Sequence, residues 1–219
     1  MVKKYTATEA HHMILDVSSR LFTEKGYEKT SIQDIVRGLD GLTRGAVYHH
    51  FDSKEAIIES VARRCLPEEC YLTAIDERTD LTGLEKIQEL LIESMFNQEV
   101  GQAMDLAYPL MNDPKFYAIY ITQLTDVLGP KVEAYIIEGN KSGHLSVALP
   151  KQLSEIIILL LSTWFIPALY PNTAETFFDK LKACQFVLAQ SGVDVLSHEV
   201  MERITKKITE KVIEFEENT

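Results

Sequence analysis

A short stretch of the sequence concentrates side chains that suit contact with a nucleic acid. It reads Thr43-Arg44-Gly45-Ala46-Val47-Tyr48-His49-His50-Phe51, and Lys54 follows shortly after. The guanidinium of Arg44 offers a planar pair of donors that suits guanine, and Gly45 and Ala46 keep the surface low enough for close approach. The donors of Tyr48, His49 and Lys54 suit phosphate oxygens. The stretch therefore predicts contacts with both base edges and backbone.

Two short helices are expected to position these side chains. We expect Thr30 to cap the first helix, with Gln33 completing a capping box. Asp40-Gly41 is a turn signal, and Thr43 can cap the second helix. The apolar face of the first helix follows the i, i+3, i+4, i+7 spacing at Ile32, Ile35, Val36 and Leu39. Together they predict a helix-turn-helix whose second helix enters the major groove.

Further helices flank this pair. Gly26 stands where a left-handed residue would end a first helix, and Ser53 can cap a fourth. Phe51 is expected to pack in the core, as large apolar side chains usually do. The apolar faces of the two flanking helices are Ile14, Val17, Leu21 and Phe22, and Ile57, Ile58, Val61 and Cys65.

These residues, in this order and spacing, resemble the signature of the TetR family of transcriptional regulators. The resemblance covers about residues 8 to 60. It implies a homodimeric repressor that binds an approximately palindromic double-stranded DNA operator and is released by a small-molecule inducer. It also implies a three-helix helix-turn-helix head, followed by a helical domain for ligand binding and dimerisation. The matching segments are Ile14-Leu15, Leu21-Phe22, Gly26-Tyr27, Thr30-Ser31, Asp34-Ile35 and the run from Gly41 to Glu55.

The resemblance also assigns roles to individual positions. It implies that Thr43, Arg44 and Gly45 approach bases, and that Tyr48, His49 and Lys54 hold the backbone. The full set of implied DNA-binding residues is Thr30, Ser31, Thr43, Arg44, Gly45, Tyr48, His49 and Lys54.

Two departures from the family pattern stand out. One extra residue between Ile35 and Gly41 predicts a bulged turn that alters the pose of the recognition helix. His11 and His12 replace a basic residue often found early in the first helix. The N-terminal arm before the first helix is then expected to contact phosphate or the minor groove through Lys3, Lys4 and Tyr5, or else to be disordered.

Charge is distributed unevenly along the 219 residues. The formal net charge is −11, with about +1 up to Cys65 and about −12 beyond it, so a nucleic-acid contact belongs to the N-terminal part. The polar start shows no secretory signal, and the apolar stretch 156–170 is interrupted and too short to span a bilayer. We therefore expect a cytoplasmic protein. The three cysteines are expected to be reduced packing residues.

Helical periodicity continues to the C-terminus, and no alternating run long enough for a strand occurs. The predicted fold class is all-α, with a DNA-binding domain over 1–66 and a regulatory and dimerisation domain over 67–219. The predicted later helices span about 68–78, 82–98, 100–111, 115–140, 150–169, 174–190 and 194–216.

The later helices suggest where a dimer and a ligand site lie. Helices within 152–190 are apolar on nearly every side and predict the dimer interface. The last helix carries one apolar stripe, from Leu196 to Val212, and should pack on the body. Tyr108 and Pro109 are hinge candidates within 100–111. A cluster of aromatic and methionine side chains predicts an apolar ligand pocket or an ordinary core: Met95, Phe96, Met104, Tyr108, Met111, Phe116, Tyr117, Tyr120 and Trp164.

Other functional classes find less support in the sequence. Glu9 and His12 form one Glu-x-x-His pattern, whereas a di-iron bundle needs two. No nucleophile elbow, metalloprotease motif or phosphate loop occurs, so we expect no catalysis, metal or cofactor. The alternatives are a helical scaffold or an enzyme-like bundle, neither of which binds DNA.

Overall fold

The computed structural model of the protein describes residues 5–166 and 169–217, and the described part is all-helical, as the sequence predicts. Two 3-10 helices cover Tyr108–Asn112 and Thr163–Phe165. No helix in these ranges is long and apolar enough to cross a membrane. The α-helices are α1 (Ala7–Lys25), α2 (Ile32–Gly38), α3 (Arg44–His50), α4 (Lys54–Arg64), α5 (Glu69–Asp76), α6 (Gly83–Phe96), α7 (Gln98–Ala107), α8 (Pro114–Lys141), α9 (Pro150–Leu161), α10 (Ala174–Gln190) and α11 (His198–Glu217).

The helices form two compact units. The first contains residues 1–66 and 98–123, and the second contains 67–97 and 124–219. In the first unit, α7 packs against both α1 and α4. The stretch 98–123 therefore packs with the helix-turn-helix, although it lies beyond the predicted domain boundary in sequence.

The core of the first unit fixes the arrangement of its short helices. Phe51 is buried, which confirms the prediction from its size. Short helices are marginal by themselves, so burial of these side chains supplies most of the stability that α2 and α3 need. The core side chains contributed by α1 to α4 include Ile14, Leu15, Phe22, Ile35, Val47, Ile57, Ile58 and Val61.

The caps of α3 and α4 are those predicted, whereas the cap of α2 is not. Thr43 and Ser53 cap α3 and α4 through their hydroxyls. The predicted cap of α2, Thr30 with Gln33, is wrong by one residue: Ser31 is the N-cap and Asp34 completes the capping box. Because Thr30 is buried, its hydroxyl is not free to cap the exposed start of α2.

The connection between α2 and α3 is longer than a tight helix-turn-helix turn. Residues 39–43 separate the two helices, against the usual three or four. Gly41 adopts φ 80°, a conformation that favours glycine. At Gly38 a Cβ atom would lie 2.8 Å from Cγ1 of Val17, so glycine permits the close approach of α2 to α1.

Two predicted helices end early. The helix predicted over 100–111 ends at Ala107 and continues as a 3-10 helix, because Pro109 has no N–H to donate to the preceding turn. The helix predicted over 150–169 ends at Leu161, where Ser162 adopts φ −127° and donates its hydroxyl to the carbonyl of Ile158. These two predictions of single continuous helices are wrong.

The second unit has its own core, in which α6, α10 and α11 meet. The apolar stripe of α11 packs there through Val200 and Ile204, which confirms the prediction for that helix, while the side chain of Val212 lies outside the described residues. Cys65 and Cys184 are buried as predicted, but Cys70 is exposed, so the packing prediction is wrong for Cys70.

Candidate nucleic-acid interface

The start of α3 is held in place from both its cap and its buried face. The hydroxyl of Thr43 accepts a hydrogen bond from the backbone N–H of Ala46 at 3.2 Å. Val47, in the middle of α3, is completely buried. Because Val47 points into the core, the residues on the opposite face of this short helix point away from it. The helix is therefore anchored by one face and free on the other.

The exposed residues of α3 include those that the sequence assigns to DNA. Arg44, Gly45 and His49 are exposed, and the side chain of Tyr48 remains 41% exposed despite its size. A guanidinium nitrogen of Arg44 donates to the Tyr48 hydroxyl at 3.4 Å, and its Cζ lies 5.5 Å from the ring centroid. The two side chains thus lie side by side and present their donors on one edge of α3.

Thr30 and Ser31 occupy different environments although they are neighbours. Thr30 is 1% exposed, and its hydroxyl lies 2.9 Å from the carbonyl of Gly26, so its side chain serves the turn before α2. Ser31 is exposed and donates to the Asp34 carboxylate at 2.6 Å. This bond lowers the pKa of Asp34 to about 2, so the capping box stays ionised. Of the two, Ser31 is the one accessible to a phosphate.

Lys54, predicted to contact phosphate, has an internal partner in this structure. Its Nζ donates to the carbonyl of Tyr27 at 2.9 Å and lies 4.2 Å from the centroid of the Tyr27 ring. Tyr27 is buried and donates its hydroxyl to Glu55 at 2.8 Å. Burial, and then this hydrogen bond, raise the pKa of Tyr27, so the phenol keeps its proton. Sequence reasoning missed Tyr27, because nothing local marks it as a partner of α4.

Four histidines form a chain between α1 and α3. The ring centroid of His11 lies 6.2 Å from that of His12 and 5.9 Å from that of His50, which lies 5.6 Å from His49. Burial, followed by repulsion from His50, His12 and Arg64, lowers the pKa of His11. The two adjacent pairs in the sequence were the signal for this cluster. Among the described residues, no group of three or more potential ligands is arranged to hold a metal ion.

The predicted arm is described only in part. Lys3 and Lys4 lie outside the described residues. Tyr5 is half-buried, and its ring lies beside Gly41, where a Cβ atom would stand 3.7 Å from Cε2. The described end of the arm therefore packs along the connection between α2 and α3.

The structure distributes the predicted ligand-binding residues over both units. Met95, Phe96 and Trp164 pack, half-buried, against the core of the second unit. The others belong to the first unit, where Met111, Phe116 and Tyr120 are buried, Tyr117 is half-buried and Tyr108 is exposed. The pocket that these residues were predicted to line stays a prediction.

The all-helical fold, with an anchored helix that exposes Arg44 and Tyr48, defines a helix-turn-helix DNA-binding protein. Residues 14–61 match the family model described as bacterial regulatory proteins of the tetR family. Residues 14–61 therefore carry the N-terminal domain of the TetR family of transcriptional regulators. This is a family of regulators and not of enzymes, and its members bind operator DNA as dimers and respond to small-molecule ligands.

Similar proteins extend the match beyond the head. IcaR of Staphylococcus aureus, the negative transcriptional regulator of the biofilm operon icaADBC, is 24% identical over 160 residues, which cover 71% of this chain and 82% of IcaR. The transcriptional repressor KstR2 of Rhodococcus jostii is 23% identical and covers 70% of this chain and 78% of KstR2. The crystal structure of a transcriptional regulator from Aquifex aeolicus is 26% identical with a TM-score of 0.52, covering 81% of this chain and 97% of that one.

Proposed function

We propose that the protein is a homodimeric transcriptional repressor that binds an approximately palindromic operator and is released by a small molecule. The observation that carries this proposal is the exposed Arg44–Tyr48 edge on a helix anchored by Val47. Such an edge is suited to the major groove, where arginine recognises guanine through two hydrogen bonds. The protein acts in the cytoplasm and carries out no catalytic step.

The similar proteins IcaR and KstR2 support repression over activation. IcaR is described as a negative regulator and KstR2 as a repressor. A protein that occupies an operator overlapping a promoter represses by exclusion, and the described fold needs no additional surface for that. We therefore expect transcription to rise when this protein is removed.

A dimer is supported by apolar side chains left uncovered on neighbouring helices of the second unit. Ile156 and Leu159 on α9 are exposed, as is Val187 on α10, and Phe186 is 68% exposed. α9 and α10 pack against each other, so these side chains lie on adjacent elements. Exposed apolar clusters on soluble proteins mark interaction sites. An isologous pairing of this face would give a two-fold dimer, whose two heads would read a palindrome.

A small-molecule ligand is proposed to release the protein from its operator. The aromatic and methionine side chains that pack around the core of the second unit, Met95, Phe96 and Trp164, are only half-buried. Flexible methionine and aromatic side chains suit a pocket that adapts to an apolar ligand. A ligand shifts the protein off its operator only if it binds the non-operator conformation more tightly. α7 packs against α1 and α4, and Tyr108 and Pro109 directly after it remain the hinge candidates.

Selection from random DNA tests the proposal directly. The protein is incubated with a library of random duplexes, bound DNA is amplified over several rounds, and the enriched sequences are aligned. We expect an approximate palindrome whose half-sites lie one helical turn apart, about 34–36 Å, and an affinity that falls steeply with salt. Failure to enrich any sequence would favour the alternatives, a helical scaffold or enzyme-like bundle without DNA binding.

A further inference from the structure

Two lysine ammonium groups lie against one buried tyrosine in the first unit. Nζ of Lys54 is 4.2 Å and Nζ of Lys115 is 4.1 Å from the centroid of the Tyr27 ring, which is 2% exposed. Both distances are well inside the range of about 6 Å over which a cation is attracted to an aromatic ring. Tyr27 is therefore held by two cations from different parts of the chain.

The three residues come from three separate elements. Tyr27 lies in the turn between α1 and α2, Lys54 is the first residue of α4, and Lys115 lies in the first turn of α8. All three belong to the first compact unit. The ring thus joins the turn that precedes the helix-turn-helix to the helix that follows it, and joins both to the start of α8.

Lys115 is held in place more by its contact with the Tyr27 ring than by its ion pair with Glu28. Lys115 also lies 3.6 Å from the carboxylate of Glu28, but the two side chains are 44% and 80% exposed. An ion pair this exposed is screened by solvent and contributes little. The Tyr27 ring is buried and fixed by its hydroxyl bond to Glu55, so the cation that lies on it is positioned by a rigid partner.

We propose that Lys115 is a positioning residue for operator binding, which holds the turn before α2 in register with α4 through the ring of Tyr27. Only residues 51–53 separate α3 from α4, so whatever fixes Lys54 and Glu55 also fixes the C-terminal end of the recognition helix. Lys115 contacts the same ring from α8, the helix that follows α7 and its 3-10 extension. A change at the start of α8 is thereby transmitted to α3 without any contact between Lys115 and DNA.

The competing explanation is that Lys115 contacts a DNA phosphate directly. A positioning role and a phosphate contact predict different effects of salt on DNA affinity. A lysine that neutralises a phosphate releases counterions, so removing it reduces the slope of log K against log salt by about one and weakens all DNA sequences alike. A positioning residue changes how well the recognition helix fits its operator. Its removal lowers specific binding, spares binding to unrelated DNA and leaves the salt slope unchanged.

The test replaces Lys115 by methionine, which keeps the stem, and by arginine, which restores a cation able to contact the ring. Lys206→Met is the matched control, because Lys206 is an exposed lysine of α11 in the second unit whose Nζ lies 3.9 Å from the carboxylate of the exposed Glu210. Affinity is measured by fluorescence anisotropy over a range of salt. The probes are a duplex enriched by the wild-type protein from random DNA and a scrambled duplex of the same composition.

We expect Lys115→Met to bind the enriched duplex roughly 3- to 20-fold more weakly, with an unchanged salt slope and unchanged binding to scrambled DNA. Lys115→Arg should restore most of the loss, and Lys206→Met should bind like the wild type. Undiminished affinity in Lys115→Met would overturn the proposal. So would a smaller salt slope with equal losses on both duplexes, or a loss of helical circular dichroism.

The inference rests on the proposed function, because its readout is operator affinity. The experiment gives different results depending on whether the proposed function or the positioning role of Lys115 is wrong. If the wild-type protein enriches no sequence, the proposed function is wrong and the positioning role falls with it. If the wild-type protein enriches a duplex and Lys115→Met binds that duplex equally well, only the positioning role is wrong.

Discussion

The imidazole of His11 on α1 stacks on the ring of Phe51, the residue that ends α3, with centroids 4.8 Å apart and planes inclined by 29°. The stack places a titratable group between the first helix and the end of the recognition helix. His50, His12 and Arg64 all repel a charge on His11, while Asp16 lies 2.7 Å from the guanidinium of Arg64 and pairs with it instead. The folded protein therefore favours neutral His11.

This environment makes stability depend on pH. Because burial and then its cationic neighbours lower the pKa of His11 below the ordinary value of 6.5, the unfolded chain binds a proton more readily than the folded one. The contribution of His11 is thus fully present above pH 6.5 and is lost as the pH falls from 6.5 through the lowered pKa. We expect the free energy of unfolding, measured by urea denaturation, to decrease over that window.

Replacing His11 by phenylalanine should flatten this pH dependence, since the aromatic stack on Phe51 is kept and the titrating group is removed. The matched control is His144→Gln, because His144 is exposed and lies on the segment between α8 and α9. A pH dependence in His11→Phe as steep as that of the wild type would show that other groups are responsible.

Loss of the α3 cap gives a second prediction. Thr43→Ala removes the acceptor for the Ala46 N–H and should lower the free energy of unfolding by about 1 kcal/mol. Thr43→Ser keeps the hydroxyl and should retain most of that stability. Chemical denaturation of the three proteins at one pH measures the difference. Equal stability of the alanine and serine variants would show that the cap contributes nothing.

Lys54 has an internal role that its sequence position did not reveal, and this gives a third prediction. Lys54→Met should lower the free energy of unfolding by about 1–2 kcal/mol, because the Tyr27 carbonyl and ring both lose the ammonium. Lys29→Met is the control, because Lys29 is an exposed lysine in the turn between α1 and α2 that also contains Tyr27. If Lys54 also contacts phosphate, the salt slope of DNA binding falls by about one in the same variant. A stability equal to that of the control would contradict the internal role.

Much of the fold follows from local patterns in the sequence. Apolar spacing predicted the four helices within residues 1–66, and the hydroxyls of Thr43 and Ser53 predicted two helix starts correctly. The predicted start of α2 at Thr30 was wrong by one residue, because Ser31, which also carries a hydroxyl and has Asp34 three positions on, is the N-cap. Burial of Thr30 decides between them, and burial is set by tertiary packing that no local pattern contains.

In the candidate site, too, some features follow from the local sequence and others depend on tertiary packing. Arg44 was predicted to be available to DNA from its residue type and its place in the first turn of α3, and the structure finds it exposed. The contact of Lys115 with Tyr27 joins residues that are far apart in the chain, and both residue types are common in turns and helix ends. The stack of His11 on Phe51 is equally non-local. Such pairs depend on how helices pack, which sequence spacing does not specify.

The proposed dimer face gives a fourth prediction. Phe186→Glu should dissociate the dimer, since a charge would be buried in an apolar seam, while the fold of each protomer stays intact because Phe186 is exposed within it. Tyr71→Glu, at an exposed aromatic residue of α5, is the matched control and should remain dimeric. Sedimentation equilibrium measures both. A Phe186→Glu protein that sediments as the wild type does would place the interface elsewhere.

Base recognition by Arg44 is the central claim, and its most direct test is the affinity of Arg44→Ala for a duplex enriched by the wild-type protein. The loss should be about 1–3 kcal/mol, with a relaxed preference at one base position. Arg78→Ala is the control, because Arg78 is an exposed arginine of the second unit paired with Asp80, and it should bind normally. An Arg44→Ala protein with wild-type affinity and unchanged base preference would contradict the assignment of α3 as the recognition helix.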